Sequence, residues 1–218
     1  MQITKYHIGR LSKIFLILAS VYSAALLSSC KAFHGTFADQ HVSIGNEGGI
    51  SRNKESKSSV LAVIKVSVQS SINDGDLIGF RIEPNINNRA GQGKVFIRNN
   101  PTTAINQIAK EYAESEGFKI AISGSYDKDL QLKLMYLDYR TKGGGLSVGL
   151  ICNVAIKSTL YNNHGKILHE KWYFISKEFD RYQYNKTEVT TNNINKTLDE
   201  IIGNIFADNV MLTQLKAR

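Results

Sequence analysis

Apolar and polar residues alternate along several stretches of the chain. Val60, Ala62, Ile64, Val66 and Val68 stand opposite Lys65, Ser67 and Gln69, the pattern of a strand with one buried face. The same period of two recurs in Leu130, Leu132, Leu134 and Tyr136. It is longest in Leu146, Val148, Leu150, Cys152, Val154 and Ile156, where the strand continues to Tyr161. Asn162-Asn163-His164-Gly165 is a hairpin-turn signal. The strand beyond it spans 167–179 and carries Leu168, Trp172 and Phe174 on one face. Long successive strands with short turns predict an antiparallel meander. Shorter extended pieces are expected at 77–82, 95–98 and 118–123, with turn chemistry at Asn73-Asp74-Gly75-Asp76 and an asparagine-rich loop over 84–93.

Two stretches follow the helical period instead. Asn100 is a good N-cap and Pro101 suits the first helical position. Ile105, Ile108, Ala109, Tyr112 and Ala113 then form one apolar stripe, and Gly117 stands where a C-cap glycine belongs. A final helix is expected to begin around 191–193, with Ile194, Leu198, Ile201, Ile202, Ile205 and Phe206 on one side and Gly203 on the other. One-faced strands and one-striped helices must cover each other. The prediction is a single α+β domain over 59–218, an antiparallel sheet with two helices packed on one face.

The first thirty residues are of another kind. Lys5, Arg10 and Lys13 precede an apolar run over 14–27, interrupted only by Ser20 and Ser23. At 14 residues the run is short of the roughly 20 that a transmembrane helix needs, and it matches the apolar core of a signal peptide. It ends in Leu27-Ser28-Ser29-Cys30, which resembles the lipobox of bacterial lipoproteins. That resemblance implies cleavage between Ser29 and Cys30, acylation of the Cys30 thiol and of the new amino terminus, and anchoring to a membrane by acyl chains. Residues 1–29 are then a signal peptide. The polar stretch 30–58, rich in Gly, Ser, Asn and Lys, reads as the acylated cysteine followed by a flexible tether. Lys31 follows the cysteine where an inner-membrane retention signal would have aspartate, so in a Gram-negative cell the resemblance implies the periplasmic face of the outer membrane.

Charge and cysteine content change meaning once the signal is set aside. The chain of 218 residues has a formal charge of +8. Three of those positive charges lie on the signal, which has no acid, leaving +5 on the rest. So modest an excess does not call for nucleic acid. Of the two cysteines, Cys152 lies in an alternating apolar strand and is expected to be a buried thiol.

Chemistry is sparse. Gly143-Gly144-Gly145 lacks the Lys-Ser/Thr and helix start of a phosphate loop. His164 and His169 are five apart on a turn and strand and do not converge; His34 and His41 fall in the tether. Asp127 with Asp129, and Asp74 with Asp76, suit strand ends and turns. No catalytic set, metal site or cofactor is expected. The one candidate binding region is the basic and aromatic group Lys171, Tyr173, Lys177 and Arg181, with Tyr182 and Tyr184, which could meet anionic glycolipid or glycan.

The order of elements resembles the YajG family of bacterial lipoproteins. The residues that carry the likeness are Val66-Ser67-Val68 through Asp76-Leu77-Ile78-Gly79-Phe80-Arg81, Glu116-Gly117-Phe118, Leu137-Asp138-Tyr139, and the closing segments 195–198, 205–208 and 212–215. The plan is also similar to LptE, the lipoprotein partner of the lipopolysaccharide-inserting barrel. The YajG resemblance implies no activity. With the anchor and tether, it leads to the expectation of a non-enzymatic envelope lipoprotein that works through a protein partner. An LptE-like role in handling anionic glycolipid is the alternative.

Overall fold

The computed structural model describes residues 39–45, 61–83, 91–142, 149–179 and 187–217, all within the compact unit Ala38–Arg218. The strands are β1 (Gln40–Val42), β2 (Val63–Ser70), β3 (Leu77–Glu83), β4 (Gly91–Ile97), β5 (Lys119–Ile120), β6 (Lys128–Lys142), β7 (Gly149–Asn162) and β8 (Ile167–Phe179). The helices are α1 (Pro101–Ser115), α2 (Thr187–Phe206) and α3 (Asn209–Lys216). The class is α+β, as the patterning predicts.

The expected meander is present: β6, β7 and β8 pair antiparallel in sequence order. The sheet as a whole is mixed, in the order β5-β2-β6-β7-β8, because β2 pairs parallel with both β5 and β6. The cause is α1. It carries the chain back across the sheet, so β5 enters in the direction of β2, as a helical crossover requires. The short segments expected at 77–82 and 95–98 form the antiparallel pair β3–β4 in a separate three-stranded sheet, order β1-β4-β3.

β1 corrects the reading of 30–58 as tether throughout. Residues 40–42 pair parallel with Val95–Ile97, and Val42 and Ile44 are fully buried. Asn99 holds the backbone beyond the strand, accepting from the Ile44 amide at 2.8 Å and donating to its carbonyl at 2.6 Å. Asn195 does the same for Gly45 at 3.3 and 3.1 Å. These amide side chains replace ladder bonds that three strand residues cannot supply.

Helices cover one face of the large sheet. In β7, Leu150, Cys152, Val154, Ile156 and Leu160 point into the core against α2, whereas Ile151, Ala155 and Lys157 lie on the opposite, helix-free face. α1 ends as its sequence predicts: Asn100 accepts from the Thr102 amide, Pro101 opens the helix, and Gly117 takes φ 90° beyond the C-cap. The closing helix begins earlier than its apolar stripe suggests, at Thr187, and a third helix follows it. α2 meets α1 through Gly203, which leaves room for the Tyr112 ring, and Tyr112 in turn stacks on Phe206 with centroids 5.8 Å apart.

The two sheets meet where β3 crosses β6. A methyl group on Gly79 would sit 1.7 Å from the carbonyl oxygen of Tyr139, so only glycine allows this approach. Gly79→Ala must push β3 off β6. It is expected to lower stability by about 2 kcal/mol, read as a lower urea midpoint with unchanged slope. An unchanged midpoint would refute the tight crossing.

Candidate functional site

The candidate residues on β8 divide between its two faces. Lys171, Tyr173 and Lys177 point toward the helices; Trp172 and Phe174 point to the helix-free face. Arg181 lies outside the described residues, as do Ser29 and Cys30.

Lys171 Nζ lies 2.6 Å from Asp208 Oδ2, and the Tyr173 hydroxyl donates to the same oxygen at 3.0 Å. Asp208 Oδ1 accepts from the amides of Val210 and Met211 at 2.9 and 3.2 Å and so caps α3. Lys177 pairs with Glu200 of α2. The Asp208 side chain is only 8% exposed. The Lys171 hydrogen bond is the main reason that its carboxyl stays ionised well below the usual carboxylate range, with the capping amides and Tyr173 adding to it. Burial, then the Asp208 contact, raises the Tyr173 hydroxyl. Lys171, Tyr173 and Lys177 therefore bind α2 and α3 to the sheet, and both ammonium groups already have carboxylate partners.

The opposite face is the surface that sequence reading missed. Trp172 is 56% exposed, Phe174 66% and Tyr136 44%. Register brings them together: Phe174 lies opposite Ala155 and Ala155 opposite Tyr136, with Trp172 opposite Lys157. The small Ala155 leaves a shallow aromatic saddle between β6 and β8. Along its borders Lys157 pairs with Glu170 at 2.9 Å and Arg140 with Asp138 at 3.0 Å, Asn153 donates to Asp138 at 3.1 Å, and the exposed Lys133 lies opposite Lys157. Burial and the adjacent Asp138 raise the Tyr136 hydroxyl, so it stays protonated at neutral pH. The missing signal was the β7–β8 register, which the sequence of the turn does not give.

The other polar candidates serve the fold. Asp127 Oδ2 accepts from the Val63 amide at 2.8 Å, and Asp129 accepts from Lys65, Ser67 and Gln131. Asp76 closes its turn by accepting from the Asn73 amide at 2.7 Å. Burial pushes the Cys152 thiol up to about 12, which leaves it unreactive. His41 is in β1 rather than a tether and stacks on Phe96 at 5.3 Å; His34 and 143–145 lie outside the described residues. A cleft of about 620 Å³ between β1, α1 and α2 is lined by Arg98, Gln107, Glu111, Asn192 and Lys196, among others. Its walls mix charges of both signs. Among the described residues, no three His, Cys, Asp or Glu side chains are grouped to hold a metal, and no helix is long and apolar enough to cross a membrane.

Asp208 gives a pH-dependent prediction. Unfolded, an aspartate titrates near pH 3.9. The folded value lies lower, so on acidification the unfolded chain takes the proton first. The stability that Asp208 contributes is thus complete above roughly pH 5 and is lost as pH falls through the folded value. Asp208→Asn keeps a capping oxygen and removes the charge. It is expected to cost about 2 kcal/mol at neutral pH and to show a flatter fall in stability below pH 4 than the parent. Parallel acid-denaturation curves would refute this role.

Comparison with known proteins gives the chain a family. The family model Lipoprotein_16, described as uncharacterized lipoprotein, matches residues 84–216. No curated protein matches significantly. Among solved structures, a Xanthomonas campestris protein of the DUF330 family is similar at 10% identity and a TM-score of 0.46, covering 83% of this chain and 95% of that one. A minor lipoprotein from Acinetobacter baumannii is 7% identical at a TM-score of 0.43, covering 69% and 94%. Rare lipoprotein B from Shewanella oneidensis is 12% identical at 0.36, covering 69% and 96%. The family match spans more than half of the sequence, and the chain belongs to the Lipoprotein_16 family of uncharacterized lipoproteins.

Proposed function

We propose that this lipoprotein is of the YajG type. In this reading it is cleaved before Cys30, acylated there, and held on the periplasmic face of the outer membrane. It has no catalytic role and acts as an adapter that grips another envelope protein. The observation that carries the adapter reading is the saddle of Trp172, Phe174 and Tyr136 on the helix-free face. Apolar surface on a sheet is normally covered from both sides or kept polar on one. Here the aromatic side chains stay in solvent beside the ion pairs Lys157–Glu170 and Arg140–Asp138, with Lys133 next to them opposite Lys157. An incoming protein would gain apolar burial at the centre and could place a carboxylate on Lys133 at the rim.

The use of the polar residues favours binding over catalysis. Asp127, Asp129, Asp76 and Asp208 are engaged in strand, turn and cap bonds, and Cys152 is buried. The glycolipid alternative relied on Lys171, Tyr173, Lys177 and Arg181; Asp208 and Glu200 already engage the first three, which weakens it, and Arg181 lies outside the described residues.

Two experiments test the reading. Cys30→Ala should abolish metabolic palmitate labelling and leave a longer precursor; unchanged labelling would overturn the anchor. A photo-crosslinking phenylalanine at Tyr136, in the full chain within intact envelopes, should give one dominant adduct with a different envelope protein. If no specific adduct forms, the adapter reading fails.

A further inference from the structure

β8 is the last strand of the large sheet, and among the described residues nothing pairs with its outer edge. A sheet edge presents unpaired N–H and C=O groups and accepts another strand readily. Proteins usually blunt such an edge by making it short, placing proline in it or lining it with charge, lysine above all. The two lysines of β8, Lys171 and Lys177, are drawn under the helices by Asp208 and Glu200. β8 runs for 13 residues without proline and exposes Trp172 and Phe174 beside the edge. We propose that the edge is filled by β8 of a second copy of this chain, antiparallel, about a two-fold axis at Tyr173. This goes beyond the adapter reading: the pairing uses the edge of β8 and leaves the aromatic face, doubled by the second copy, for the other envelope protein.

The register follows from the strand itself. In an antiparallel ladder, residues whose backbone groups point outward face others of the same kind, and opposed side chains share a face. A two-fold axis must therefore fall on a residue and not between two. The midpoint of Ile167–Phe179 is Tyr173, and an axis there pairs residues 169–177 of both copies, short of the irregularity that skips Leu168. Trp172 then lies opposite Phe174 of the second copy, twice, on the helix-free face. Glu170 faces Ser176 and Lys171 faces Ile175, so no two like charges are opposed. An axis at Phe174 sets Lys171 against Lys177 and Glu170 against Glu178, and directly opposed like charges destabilise a ladder. An axis at Trp172 sets Glu170 against Phe174. Charge and aromatic pairing thus select the same register. The product is a continuous ten-stranded sheet, within the range that open sheets reach, with every helix on one side and the aromatic side chains of both copies in one patch.

Cysteine crosslinking in the full-length, membrane-anchored chain tests this. The substituted sites are exposed, so folding should survive. Trp172→Cys with Phe174→Cys in the same chain should give a disulfide-linked dimer under mild oxidation, at least ten-fold above the parent chain, whose Cys152 is buried. Glu170→Cys with Glu178→Cys, opposed only about Phe174, should remain at the parent level. Dimer no higher than the parent in the first variant, or equal dimer in both, overturns the proposal. Light scattering on the detergent-solubilised full chain should show a dimer that Phe174→Glu converts to a monomer. A monomeric parent, or a variant that stays dimeric, is equally fatal. A Tyr136 adduct with another protein but no β8 disulfide would leave the adapter reading standing and remove this one.

Discussion

Asp208 divides its two carboxylate oxygens between two layers of the protein. One oxygen caps α3 through the Val210 and Met211 amides; the other holds Lys171 and Tyr173 of β8. Four donors around one nearly buried carboxylate give it charge-assisted bonds, which are roughly twice as strong as neutral ones. The turn between α2 and α3 is thereby tied to the last strand of the sheet, with Lys177 and Glu200 as a second tie further along. These ties decide which side of β8 faces inward. Tyr173 and Ile175 go under the helices, and strand geometry then sends Trp172 and Phe174 the other way. The exposed aromatic surface is a consequence of where the ionic ties lie.

Much of the fold was legible because it rests on local patterns. The alternation of Leu150 to Ile156, the stripe of Ile105 to Ala113 and the Asn100–Pro101–Gly117 punctuation each encode their own element. What local pattern does not encode is pairing. The parallel partners of β2, the separate sheet of β3 and β4, and the recruitment of β1 all depend on contacts between distant segments. β1 was hidden for a specific reason: Gln40, His41 and Val42 contain one apolar residue, and the strand is held by Asn99 and Asn195 rather than by apolar alternation. α3 was hidden as a separate helix because Asp208 reads as an ordinary surface acid until its capping bonds are seen, although Asp208 ahead of Met211, Leu212 and Leu215 is a helix-start pattern.

The candidate site was legible in part. Sequence identified β8 as the strand of interest and chose Lys171, Tyr173 and Lys177 for their chemistry. Those residues turned out to be joints between layers, and their neighbours Trp172 and Phe174 form the free surface. Adjacent residues in a strand belong to opposite faces, so an error of one position exchanges structure for surface. Membership of a family of uncharacterized lipoproteins agrees with the lipoprotein expectation in its coarse form.

The anchoring of β1 also governs the order of assembly. Gly45 is held by Asn195, and Gln40 accepts a hydrogen bond from Thr190, both 150 residues later in the chain. β1 has its β4 pairing and the Asn99 bonds before α2 exists, but its anchoring is complete only once α2 has docked. Contacts at such separation require a long loop to close and form late. A fragment that stops before α2 keeps the β4 pairing and the Asn99 bonds but lacks the Asn195 and Thr190 anchors. The final seating of β1 is thereby coupled to the docking of α2.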